Sequence, residues 1–271
     1  MNPIIVSFGG FDLRWYSVLI ATAIVIAYFM IMSESRRFQV KQEFMFNLMF
    51  WTLLFAIVGA RIYYVVFNLN YYLDNPAEII QIWNGGLAIH GGLIAGALTI
   101  FIYCKKYKAN LGKILDIIIP ALLLGQAIGR WGNFFNSEAY GSAVSYQTLI
   151  NMKIIPQFII DNMYINGAYH LPMFYFESIW CFLGFVFSLF IRRRRYIKNG
   201  QLAGFYLMWY SVGRFVIEIF RTDSLMIGGF KVAQIISVLL FLCGIYIQFV
   251  QSRKPKLDDL YNSIEDKEIN F

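Results

Sequence analysis

The chain has 271 residues, of which 59% are hydrophobic and only 14% charged, with a formal net charge of +7 and a mean hydropathy of +0.57. That composition excludes a single soluble domain. Most basic residues sit in four short clusters between apolar runs, which excludes a nucleic-acid-binding stripe and any nucleic-acid partner.

The apolar runs are continuous rather than short and alternating, so a β-barrel is excluded too. The fold class is an all-α membrane protein, a polytopic bundle of transmembrane helices. No basic n-region or cleavage-like pattern occurs in Met1–Asp12, so no removable signal peptide is expected and the first helix serves as the insertion signal. Seven apolar segments follow, at roughly 14–32, 44–67, 86–104, 114–130, 173–191, 201–220 and 232–250.

The connections alternate in charge. Arg36, Arg37 and Lys41 follow segment one, and Lys105, Lys106, Lys108 and Lys113 follow segment three. Arg192 to Arg195 with Lys198 follow segment five, and Arg253, Lys254 and Lys256 follow segment seven. The intervening stretches 68–78 and 222–230 lack basic residues, and 142–172 holds only Lys153. Cytoplasmic loops retain Lys and Arg, so the N-terminus is expected outside and the C-terminus inside. Residues 142–172 are too polar to span and predict a small extracytoplasmic cap inserted in a single membrane domain, 1–254. The charged stretch 255–271 predicts a solvated cytoplasmic tail. Cys104, Cys181 and Cys243 lie in or at the ends of apolar runs and predict buried free thiols.

Polar residues inside these runs are few. Arg61, after Gly59, pairs across helices or reaches a lipid phosphate. His90 sits among glycines: either Gly92 and Gly96 serve close helix contact and the imidazole bonds a neighbour, or it is a base titrating near neutral pH. Asp116 reads as structural. At the outer end of segment four stand Arg130, Asn133 and Glu138, where a charge at the bilayer centre costs at least ~2.5–3.5 kcal/mol. Glu177 starts segment five. Arg214, Glu218 and Arg221 share one helical face near the end of segment six, either as an intrahelical ion pair or as a phosphate grip. Convergence of these charges on the outer half of the bundle predicts a shared polar cavity opening outward. No His/Cys cluster has metal spacing, and neither a Gly-x-Ser-x-Gly elbow nor a Walker-type loop is present.

The run Gly129-Arg130-x-Gly132-Asn133-Phe134-x-Asn136-x-Glu138-x-x-Gly141 resembles the signature of the prolipoprotein diacylglyceryl transferases. The resemblance extends to Arg14-Trp15-Tyr16, Gly59-x-Arg61, His90-Gly91-Gly92-Leu93 and Gly213-Arg214-Phe215-x-x-Glu218-x-x-Arg221, in order along nearly the whole chain. One departure is visible: the family commonly has His-Pro, three residues and Tyr-Glu, whereas here Leu171 separates His170 from Pro172 and Phe176 precedes Glu177.

The resemblance implies a bacterial cytoplasmic (inner) membrane enzyme, multi-pass and monomeric. It moves the diacylglyceryl group of phosphatidylglycerol to the lipobox cysteine of a prolipoprotein signal peptide, without a cofactor. It assigns Arg130 and Arg214 to the phosphate and His90 to the acceptor thiol. Asn133, Glu138, Glu177 and Glu218 hold the arginines and the head group, Tyr16 contacts substrate, and Gly141 permits a turn at the cavity mouth. Arg61 and Arg221 join the substrate-binding set. A transporter passing an anion is the rival reading, but it should show charge on both faces.

Overall fold

Every long apolar run forms a helix. The computed structural model describes residues 2–8, 11–222, 224–263, 269 and 271. A hairpin of β1 (Ile4–Phe8) and β2 (Phe11–Arg14) leads into α1 (Trp15–Arg37) and α2 (Gln42–Phe67). A short α3 (Leu69–Asp74) and two 3₁₀ turns (Pro76–Ile80 and Ile82–Asn84) precede α4 (Ile89–Lys106) and α5 (Leu111–Phe135). Then come β3 (Ala143–Val144), α6 (Tyr146–Asn151), α7 (Gln157–Asp161), β4 (Tyr164–Ile165) and β5 (Ala168–His170). The chain continues through α8 (Met173–Ile191), α9 (Gln201–Phe220), β6 (Met226–Ile227), β7 (Phe230–Lys231) and α10 (Val232–Ser252).

Among the described residues, five helices, α1, α2, α5, α8 and α10, are long and apolar enough to cross a membrane. Their exposed faces carry large apolar residues such as Phe29, Ile62, Leu239 and Leu242, as lipid-facing surfaces require. The protein is therefore a multi-pass helical membrane protein. The other two long helices, α4 and α9, fall short of that measure; one holds His90, Lys105 and Lys106, the other Gln201, Arg214 and Glu218.

Two compact units make up the chain. One comprises residues 1–30 and 115–263, the other 31–114 and 264–271. In the second, α2 packs along α4 at bare backbone. A Cβ on Gly91 would stand 2.3 Å from the Gly59 carbonyl oxygen, and one on Gly59 would stand 2.3 Å from Ala95 Cβ. Gly92 and Gly96 continue this seam against Ala56 and Thr52, so the close-contact reading of these glycines holds.

In the first unit, Asp116 of α5 is fully buried and caps α9. Its carboxylate accepts the Gly200 N–H at 2.7 Å and the Ala203 N–H at 2.9 Å, satisfying donors that a helix start leaves open. The structural reading of Asp116 thus has a specific basis.

Residues 142–172 fold into a small α/β element whose sheet runs β3-β5-β4. Leu149, Ile159, Ile160 and Met163 form its core, which continues into Phe134, Phe174 and Ile217 of the long helices.

The stretch after Lys254 departs from the solvated tail expected for it. Lys198 Nζ donates to the carbonyls of Pro255 and Asp258, and Asn199 donates its N–H to Asp259 O at 2.9 Å. Tyr261 is fully buried, and its N–H donates to Ile197 O at 2.8 Å. Backbone hydrogen bonds to the loop after α8 hold this segment, so no apolar periodicity advertises its order. The remainder of the tail, 264–268 and 270, lies outside the described residues. All three cysteines are free, but only Cys104 and Cys181 are buried; Cys243 is exposed on α10.

Candidate active site

Three helices of the first unit bring four charged side chains into one chain of contacts. Arg130 Nη1 of α5 lies 2.7 Å from Glu177 Oε2 of α8. The other oxygen of Glu177 lies 3.2 Å from Arg214 Nη1 of α9, and Arg214 Nη2 lies 2.8 Å from Glu218 Oε2 one turn on. Charges alternate along the chain. The carboxylates are buried, with side chains 7% and 2% exposed, whereas the side chains of Arg130 and Arg214 remain 24% and 20% exposed. The acids are the more buried members and the arginines the more exposed ones.

Hydrogen bonds next to these residues fix their spacing. Trp131 Nε1–H donates to Ser178 Oγ at 3.1 Å, and Ser178 Oγ–H donates to Ala127 O at 2.8 Å, tying α5 to α8 beside both Arg130 and Glu177. Between α8 and α9 the indoles of Trp180 and Trp209 stack with centroids 4.3 Å apart. Each indole N–H donates to the other residue's carbonyl at 2.9 Å. A Cβ on Gly213 would stand 2.3 Å from the Trp180 indole, so the glycine before Arg214 lets that ring lie flat on α9. The i,i+4 pair of Arg214 and Glu218 exists, as the sequence spacing predicts, but Arg214 also reaches across to Glu177.

Arg221 leaves the helical face predicted for it. It is the C-cap of α9, with φ −79° and ψ 140°, and its backbone bridges to Gly141. Gly141 N–H donates to Leu171 O at 2.9 Å, and His170 Nδ1–H donates to Gly141 O at 2.9 Å. A Cβ there would stand 2.9 Å from Leu171 Cβ. The expected turn at Gly141 is a close approach instead; the left-handed positions in this loop are Ser137 (φ 52°) and Ala139 (φ 56°).

Asn133 and Glu138 hold each other rather than the arginines. Glu138 Oε1 accepts from the Asn133 amide at 2.9 Å and the Asn136 amide at 3.3 Å, while Glu138 N–H donates to Asn133 O at 3.0 Å. Tyr16 of α1 lies against the same signature, its ring only 2.3 Å from where a Gly132 Cβ would stand.

One residue escaped the sequence reading. Lys231 Nζ donates to the carbonyls of Glu218, Ile219 and Arg221, placing a cation on the C-terminal carbonyls of α9. Its position as a lone lysine directly after a loop without basic residues was the available signal.

His90 and Arg61 belong to the other unit. His90 is exposed in the first turn of α4, its ring centroid 6.2 Å from that of Tyr63. Arg61 is 7% exposed and donates to the carbonyls of Glu78 (2.6 Å), Ile79 (2.9 Å), Gly85 (2.7 Å) and Gly86 (2.8 Å). Its guanidinium also lies over the Tyr64 and Tyr72 rings. No carboxylate is among these partners; Arg61 gathers the loop after α3 and stands in the wall of the cavity there. That loop lines a cavity of about 390 Å³, with Tyr64, Asn68, Tyr71 and Glu78 in its wall. The Tyr71 phenol donates to Glu78 Oε2 at 2.8 Å, and this bond to a carboxylate raises its pKa above the ordinary phenol value. Among the described residues no group of three or more His, Cys, Asp or Glu side chains is placed to hold a metal ion.

Residues 3–250 match the family described as prolipoprotein diacylglyceryl transferase. A phosphatidylglycerol–prolipoprotein diacylglyceryl transferase of Staphylococcus xylosus is 43% identical over 264 residues, which covers 96% of this chain and 94% of that protein. Its counterpart from Streptococcus agalactiae serotype Ia is 45% identical over 258 residues, covering 95% and 98%. That of Listeria innocua serovar 6a is 42% identical over 267 residues, covering 98% and 95%. Matched along nearly its whole length, the chain belongs to the prolipoprotein diacylglyceryl transferase family.

Proposed function

We propose that this protein transfers the diacylglyceryl group of phosphatidylglycerol to the lipobox cysteine thiol of prolipoproteins, the first step of lipoprotein maturation. The observation that carries this reading is the pair of partly exposed arginine side chains, Arg130 and Arg214, held by one buried carboxylate within a membrane helix bundle. A phosphodiester head group bears one negative charge and offers oxygens to two forks. In the reaction the cysteine sulfur attacks the glycerol carbon that carries the phosphate. A C–S bond forms, the C–O bond breaks, and its electron pair leaves on the phosphate oxygen as glycerol phosphate. Arg130 and Arg214 stabilise the charge that grows there.

The acceptor thiol, with a reference pKa of ~8.5, must lose its proton, and His90 is the base in this proposal. Tyr16 and Arg221 border the substrate. Asn133, Glu138 and Gly141 shape the loop at the mouth, and Arg61 shapes the loop beside His90. In the membrane, α4 and α9 complete seven spans, with the N-terminus and the 142–172 cap outside and the tail inside. The protein works as a monomer in the bacterial cytoplasmic membrane.

Purified protein, phosphatidylglycerol and a lipobox peptide should yield a peptide carrying one diacylglyceryl group, read by mass spectrometry. No adduct, or equal adduct on the Cys→Ser peptide, overturns the assignment. For His90→Asn the expected rate loss is about 100-fold or more, within the range for a general base. The pH–rate profile of this variant is measured alongside the rate. Unchanged rate and profile remove His90 as the base.

A further inference from the structure

The chain of contacts through Arg130 and Arg214 holds two negative charges for its two positive ones. Arg130, Glu177, Arg214 and Glu218 form an unbroken alternation, and the two carboxylates are its most buried members. A site built only to grip phosphate would leave its guanidiniums uncompensated. Here Glu177 touches both of them, one with each oxygen.

The donor and the leaving product differ in charge by about one. A phosphodiester is a monoanion, whereas a phosphomonoester with a second pKa near ~6 approaches a dianion at neutral pH. Two bare guanidiniums would attract the dianion more strongly than the monoanion and hold the product. A neutral alternating set still offers directed N–H donors to a monoanion, but it removes the extra attraction for the second charge. We propose that Glu177 is a specificity-determining residue that makes the site discriminate phosphodiester from phosphomonoester, retaining the lipid donor and releasing glycerol phosphate. This rests on the phosphate-binding reading of Arg130 and Arg214. Glu218 contributes the second compensating charge but touches Arg214 alone, so its share is smaller.

The test is direct binding to the whole protein in detergent, by calorimetry at neutral pH. The two probes are glycerophosphoglycerol, a phosphodiester monoanion, and glycerol 1-phosphate. In Glu177→Gln the affinity for glycerol 1-phosphate should rise about tenfold or more, while that for glycerophosphoglycerol changes about threefold or less. Product inhibition of transfer should tighten in parallel. Glu177→Asp keeps the charge and should keep the wild-type ratio of the two affinities. Glu218→Gln should move the ratio in the same direction as Glu177→Gln and serves in its place if that variant does not fold. A purely structural role predicts that both anions weaken together, and that result, or an unchanged ratio, overturns the proposal. Failure of either anion to bind the unaltered protein instead overturns the phosphate site itself, and the proposal falls with it.

Discussion

Arg130→Ala and Arg214→Ala each reduce transfer by about 100- to 1000-fold, measured as the initial rate of adduct formation on a lipobox peptide. Two losses combine in each variant. The growing charge on the leaving phosphate loses a preorganised donor, which in other sites of this kind is worth about 10²–10³ in rate. The buried Glu177 also loses one of its two partners, and breaking a buried pair from one side costs about 3–5 kcal/mol before relaxation. Partial exposure of both arginine side chains reduces that second figure through solvent screening. The lysine variants separate charge from geometry. A lysine restores a positive charge but not a planar fork able to touch Glu177 and a phosphate oxygen together, so Arg130→Lys and Arg214→Lys should stay at least about tenfold below the unaltered protein. Full activity in Arg130→Lys would show that a point charge suffices. Thermal unfolding of each variant in detergent distinguishes lost chemistry from lost fold.

Gly91→Val destabilises the protein strongly, although Gly91 carries no side chain of its own. Its Cβ would stand 2.3 Å from the Gly59 carbonyl oxygen and 2.4 Å from Tyr63 Cβ, and neither is the free end of a flexible chain. The helices α2 and α4 must separate, forfeiting the seam around them. Overpacking a tight site costs about 1–3 kcal/mol and more where backbone has to move, so the expected result lies at or above the top of that range. The measurement is the thermal midpoint in detergent together with the yield of monodisperse protein. Gly96→Ala is the matched control: its Cβ would meet Thr52 Cγ2 at 3.6 Å, an ordinary contact, and stability should change by about 0.5 kcal/mol or less. If Gly91→Val unfolds at the same temperature as the unaltered protein, the close approach of the two backbones is not what holds them.

Much of this architecture is legible in the order of residues, because hydrophobic runs and glycine positions act locally. All long helices fall on the apolar segments, although α5 extends past the predicted end at 130 to Phe135, so Asn133 is a helical residue. The partnership of Glu177 with both arginines was only partly visible. Spacing reports neighbours along one helix, as for Arg214 and Glu218, but it is silent on contacts between helices. Other features depend on backbone groups that no side-chain pattern encodes. Asp116 reads two N–H groups of α9, Lys231 reads its last carbonyls, and Arg61 reads four carbonyls of one loop. Arg221 illustrates the reverse error: helical periodicity continues on paper one residue beyond the point where the chain turns extended.

The reciprocal indoles of Trp180 and Trp209 have a practical consequence. Two identical chromophores stacked 4.3 Å apart at 15° couple electronically, and this pair bridges the two helices that carry Glu177 and Arg214. Their coupled circular-dichroism signal is therefore an intrinsic gauge of whether those helices remain joined. It requires no added label, and it separates a variant that has lost its chemistry from one whose walls have come apart.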